Sequence, residues 1–178
     1  MTKITCGAAS DGLKAIVVAL IVVFGGEALA QKPAAPSALD FATSASQSDQ
    51  FEIQTARIVL AQSQDPRVRA FAQQMIADHS QMADSLRQAA MTSGLVLPPP
   101  SMTSDQAMTL MALQTSADLD KDYIRQQVLA HHQALAVQQS YAETGRDENL
   151  VRLATSEMAV VKRHLQTVEQ IRGTLPAK

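Results

Sequence analysis

Cysteine is nearly absent from this chain: one residue, Cys6, in 178. A single thiol excludes a disulfide scaffold and any cysteine-rich zinc module. Tryptophan is missing altogether, and four Phe and two Tyr make up the aromatics. That supply is too thin for a stacking platform for bases or a sugar-binding cleft. Excess positive charge is lacking too. The formal net charge is −2, which leaves no broad basic surface for nucleic acid. Glycine is scarce, at seven residues, while Ala, Gln, Leu and Met abound. These are good helix formers, and the composition points to an all-α protein. The length suits one domain with an appendage.

Only one long hydrophobic run is present. Ala15 to Phe24 (AIVVALIVVF) is an unbroken apolar stretch of ten residues, followed by Gly25-Gly26 and then Ala28-Leu29-Ala30. Lys3 and Lys14 bracket the polar segment before it. This is the pattern of a secretory signal with an A-x-A cleavage site, so residues 1–30 are expected to be removed after Ala30. A membrane-spanning helix needs ~20 apolar residues, and this run is too short. The expectation is a periplasmic protein with no integral membrane segment in its mature form. Cys6 lies in the discarded part and has no lipobox-like lead-in. Gln31 to Ser37 (QKPAAPS) reads as a Pro/Ala linker. The expected organisation is a linker over 31–38, a helical domain over 39–173 and a tail over 174–178.

Apolar residues then recur at three- and four-residue steps, one face of an α-helix at a time. The first helix is expected over Leu39–Gln64, with a stripe of Phe41, Ala45, Ser48, Glu52, Ala56 and Val59. Asp65-Pro66 restarts the chain, because Asp caps free N–H groups and Pro fits the first helical position. The second helix runs from Pro66 to about Thr92, with Val68, Phe71, Ala72, Met75, His79, Met82 and Leu86 inward. Gly94 and Pro98-Pro99-Pro100 stop it. A short helix over Ser104–Gln114 is expected in the long connection that follows. The third long helix covers about Asp118–Thr144, with Ile124, Val128, His131, Leu135 and Gln138 on one face. The fourth covers Asp147–Arg172, with Leu150, Leu153, Glu157, Val160, Val161, His164, Val168 and Ile171. Gly145 and Gly173 read as helix ends. The expected fold is an antiparallel four-helix bundle with a short extra helix between its second and third members.

Three histidines, His79, His131 and His164, fall on the apolar stripes of three different helices, and Glu52 does so on the first. Burying such groups without partners is costly. At 1.5 Å rise per residue, Glu52 and His79 stand about 18 and 22 Å from the turn at Gln64, and His131 and His164 about 21 and 28 Å from Gly145. One carboxylate and three imidazoles then share a broad middle layer. Such a set suits one transition metal ion: Zn, Fe, Mn or Cu. The alternative is a buried network in which Glu52 hydrogen-bonds to histidine. A di-iron centre is disfavoured, because it wants Glu-x-x-His motifs and the residues three before each histidine are Ile76, Val128 and Val161. Glu157 is a further inward carboxylate, two turns from His164, with solvent exposure as its other reading. Asp78 points about 100° away from His79 around its helix, where it orients a neighbour at most. Tyr123 either donates to the network or packs. Met75, Met82, Met108 and Met111 read as core filler, and His132 as surface.

The chain resembles a bacterial family of exported ferritin-like proteins known as domain of unknown function 4142. The resemblance rests on Phe51-Glu52-Ile53, on Asp65-Pro66-Arg67-Val68-Arg69-Ala70-Phe71-Ala72 running on to Met75-Ile76-Ala77-Asp78-His79-Ser80, and on Gly94-Leu95-Val96-Leu97-Pro98. Asp120 with Tyr123 and His131, and His164-Leu165, complete it. It implies a ferritin-like four-helix fold with Glu52, His79, His131 and His164 at motif positions, and it implies no activity. Met158-Ala159 departs from the Leu-Pro pair that the family carries before its last histidine, which argues for a straighter fourth helix. The family's label as an outer membrane protein finds no barrel strands here. Two functions remain open on sequence. One is a metal-binding or stress-protective envelope protein. The other is a non-enzymatic interaction module with an envelope protein partner, whose outward Gln73, Gln74, Gln81 and Gln88 are available for contact. A metal-dependent redox enzyme is a third, weaker reading.

Overall fold

A computed structural model describes residues 36–175. The signal-like segment and most of the linker lie outside the described residues, as does most of the tail. The described residues form five helices and no strand: α1 (Ala38–Gln62), α2 (Pro66–Thr92), α3 (Ser104–Gln114), α4 (Leu119–Thr144) and α5 (Glu148–Thr174). None is long and apolar enough to cross a membrane.

The ends of these helices follow local chemistry. Ser37 caps α1 by accepting from the Asp40 backbone N–H. Asp65 caps α2, accepting from the N–H groups of Arg67 and Val68, with Pro66 just inside. Thr103 and Gln106 form a reciprocal capping box on α3. Asp147 accepts from the N–H of Leu150 at the start of α5. After α2, Gly94 takes φ +69°, a left-handed conformation that costs glycine little. Gly145 closes α4 for another reason. A Cβ there would lie 2.6 Å from the Tyr141 ring and carbonyl. Gly173, expected to end the last helix, lies inside it: α5 runs on to Thr174.

Packing brings α1 against α2 and α4, and α5 against α2 and α4, while α3 lies on α1 and α4. The buried residues fall into two apolar clusters. One joins Ala56 and Val59 near the end of α1 to Val68, Phe71, Ala72 and Met75 in the first half of α2, and Tyr123, Ile124 and Val128 of α4 to Val168 and Ile171 of α5. The other joins Phe41, Ala42 and Ala45 to Leu86, and Tyr141 to Leu150 and Ala154. Early residues of one helix therefore meet late residues of its neighbour, so α1 and α2 run in opposite senses, as do α4 and α5. Full burial of each large side chain contributes about 1.5–3 kcal/mol. Met75 and Leu86 are buried as expected, but Met108 and Met111 are 61% and 67% exposed and fill no core.

Between the two clusters lies a polar stretch. Asp49, Glu52, His79, Gln127, His131, Gln138, Glu157 and His164 are all buried there. On α1 the inward sequence is Ala42, Ala45, Asp49, Glu52, Ala56 and Val59. Asp49, not Ser48, holds the inward position, and Ser48 is only half-buried.

Candidate metal centre

His79 comes from α2, His131 from α4 and His164 from α5. One ring nitrogen of each lies within 4.8 Å of one from each of the others. The ring centroids stand 6.0, 5.5 and 5.3 Å apart. His164 Nδ1 is 3.3 Å from His131 Nε2. Two nitrogens bound at about 2.0–2.1 Å to one tetrahedral ion stand about 3.3–3.4 Å apart.

The outer nitrogen of each ring is held. His131 Nδ1 lies 2.8 Å from the backbone carbonyl oxygen of Gln127. A carbonyl only accepts, so Nδ1 donates and Nε2 keeps its lone pair. His164 Nε2 lies 2.7 Å from Asp78 Oδ2. Burial pushes the Asp78 carboxyl up, but its bonds to His164 and Gln74 outweigh this and hold it below its usual value. The carboxylate therefore accepts, and His164 Nδ1 keeps its lone pair. His79 Nδ1 lies 2.8 Å from Asp49 Oδ1, and His79 Nε2 is buried with no partner. Burial lowers His79 to about 4 and His131 to about 3, the charge of His79 adding to the second shift. Burial lowers His164 too, against the hydrogen bond to Asp78. The rings are thus neutral near pH 7, the form in which imidazole binds metal. The Gln127 carbonyl behind His131 and the Asp78 carboxylate behind His164 are the usual outer support of a metal-binding histidine; behind His79, burial raises the Asp49 carboxyl well above its usual value. Without an ion or a proton between them, the lone pairs of His131 and His164 face each other.

Phe71 meets the His164 ring edge-on, with centroids 6.3 Å apart, and screens one side of the cluster. A cleft of about 400 Å³ reaches it on another side, with Asp49, His79, Gln138, the α3 cap Thr103 and the α3 residue Gln106 among its walls.

Glu52 is buried in the same region but does not join the converging nitrogens. Its Oε2 accepts from Gln127 Nε2 at 2.5 Å. Burial raises its carboxyl to about 8, with Asp49 adding to the rise. Gln127 thus serves both groups, its carbonyl holding His131 and its amide holding Glu52. Asp49 and Gln127 were not singled out from sequence. Asp78 reaches across to α5, off its own helix's stripe. Glu157 is buried rather than exposed, with Oε2 accepting from Gln138 Nε2 at 2.7 Å. His132 is on the surface, as expected.

A family model described as a domain of unknown function, DUF4142, matches residues 25–171. The chain belongs to the DUF4142 family. No curated protein matches it. Among solved structures, this DUF4142 chain is similar to a crystal structure of a DUF305 fragment from Deinococcus radiodurans. The match has a TM-score of 0.68 at 20% identity and covers 81% of this chain and all of the other. At that identity the likeness concerns the fold alone. Within that fold, three buried histidines of this chain could hold a metal ion.

Proposed function

We propose that this chain is an exported, periplasmic four-helix bundle of the ferritin-like kind that binds one transition metal ion through His79, His131 and His164. The observation that carries the reading is the orientation of the rings. Two outer nitrogens bond to Asp78 and to the Gln127 carbonyl, the third ring meets Asp49, the remaining nitrogens of His131 and His164 lie 3.3 Å apart, and one nitrogen of each of the three rings lies within 4.8 Å of the others. Three imidazoles leave a coordination position for water or a fourth ligand. Glu52 is the protein's own carboxylate for that position, once it exchanges Gln127 for the ion. The imidazole donors suit Zn, Cu and Fe. The role is metal binding or envelope protection rather than turnover.

The test is elemental analysis of chain purified from the periplasm, with zinc and cobalt titrations of the stripped protein. Near-stoichiometric metal, and a tetrahedral cobalt spectrum lost in His131→Ala, are expected. No bound metal and no thermal shift with Zn, Mn, Fe or Cu would overturn the reading. A second reading is an envelope interaction module, which the exposed Met108 and Met111 of α3 favour. It predicts that a folded His79→Leu variant keeps its envelope phenotype.

A further inference from the structure

A second polar layer lies beside the histidines. On α4, Gln138 follows His131 by seven residues, and on α5 Glu157 precedes His164 by seven. Each step is two helical turns, about 10.5 Å. Both pairs cross between the same two helices: His131 with His164, and Gln138 with Glu157. The layer is therefore a separate place in the core. Asp49 approaches it from α1 and lines one cleft with Gln138; burial first, and then the charge of Asp49, raise the Glu157 carboxyl to about 8, and burial raises the Asp49 carboxyl as well.

The donors here are all oxygens, and they are under-used. Glu157 and Gln138 are 6% and 5% exposed. Gln138 gives its amide nitrogen to Glu157 Oε2, while Gln138 Oε1 and Glu157 Oε1 are buried with no partner. Asp49 spends Oδ1 on His79. No Lys or Arg side chain forms an ion pair with Asp49 or Glu157 among the described residues. Two buried carboxylates with no cation leave an energetic debt that protons or a metal ion must settle. Asp49 and Gln138 also line the cleft that opens beneath α3. An ion entering there keeps part of its water shell, as hard divalent ions prefer.

We infer that Asp49, Gln138 and Glu157 form a second cation site, separate from the histidine centre, for a hard divalent ion held by oxygen donors. Asp49 belongs to both places, with one oxygen on His79 and the other free for the ion. The site does not require that the histidine centre be loaded.

The test uses Mn²⁺ as the probe, added to the full chain with one equivalent of Zn²⁺ already present, and reads free Mn²⁺ by electron paramagnetic resonance. Saturable binding of one Mn²⁺, displaced by Ca²⁺, is expected. Glu157→Gln should weaken it at least about tenfold, with Zn²⁺ affinity unchanged. His131→Ala should weaken Zn²⁺ and spare Mn²⁺. Gln138→Ala is the second variant should Glu157→Gln fail to fold, as judged by circular dichroism, and it should also weaken Mn²⁺. The same titration on zinc-free protein separates the two ideas, since Mn²⁺ sensitivity to Glu157→Gln persists there even if zinc never binds. No saturable Mn²⁺ binding, or equal binding by wild type and these variants, shows that protons alone settle the layer and overturns the inference.

Discussion

Replacing Asp78 by Ala tests whether the histidine cluster is held for a ligand. In the wild type, His164 Nε2 sits 2.7 Å from Asp78 Oδ2, with the His164 side chain fully buried and that of Asp78 31% exposed. Removing the acceptor leaves a buried N–H unsatisfied, which costs about 1–3 kcal/mol. Water reaches the exposed side of Asp78, so the lower end, about 1 kcal/mol, is expected. For a domain near this size that lowers Tm by roughly 2–4 °C. The effect on metal is larger, because the His164 ring loses both its tautomer and its aim. Outer support of this kind is worth about 10–100-fold in affinity. The assays are calorimetric melting of metal-free protein and competitive zinc titration against a chromophoric chelator. Asp78→Asn keeps an acceptor and should fall between wild type and Asp78→Ala. Asp84→Ala, on the same helix with a side chain 69% exposed, should change neither quantity. Wild-type melting and wild-type zinc affinity in Asp78→Ala would refute the view that Asp78 orients His164.

Gly145→Ala should destabilise the fold by about 1–3 kcal/mol, because the added Cβ meets Tyr141 at 2.6 Å. Gly173→Ala, in open helix, should be neutral or stabilise by up to about 1 kcal/mol; paired thermal melts check both. Met75→Ala empties a fully buried position and should cost about 2–5 kcal/mol, read as a lower urea midpoint at unchanged slope. Asp65→Ala should cost about 1 kcal/mol at neutral pH through the lost cap. The hydrogen bond from Arg67 leads in holding the Asp65 carboxyl at about 2, against 3.8 in an unfolded chain. Its ionised form therefore stabilises the fold above pH 3.8, and that stability is lost as pH falls toward 2. The gap between wild type and Asp65→Ala, followed by urea denaturation at several pH values, should narrow across that window and nowhere above it.

The helices were legible because their ends carry their own chemistry. Asp65-Pro66 and the run from Gly94 to Pro100 punctuate the chain without help from the rest of the fold, and α2 begins at the first of these signals and ends just before the second. The three histidines were legible as a set because each lies on its helix's apolar face. Their supports were harder to read, because hydrogen bonds between helices have no period along one helix. Asp78 points away from His79 around its own helix, and that same angle turns it toward His164 on α5, the neighbour it orients. Asp49 is legible by depth rather than by period. Ser48 and Asp49 both continue from Ala45 at helical spacing, and periodicity alone does not choose between them. Depth does choose. Counted from Gln64 at 1.5 Å per residue, Asp49 stands about 22 Å away and Glu52 about 18 Å, while His79 stands about 22 Å away on the other side. The three residues Ser63–Asp65 between α1 and α2 leave little room for one helix to slide along the other. The carboxylate that meets His79 must then come from the position of equal depth. That position is Asp49, 2.8 Å from the ring, and it leaves Glu52 one turn further on, where Gln127 takes its oxygen.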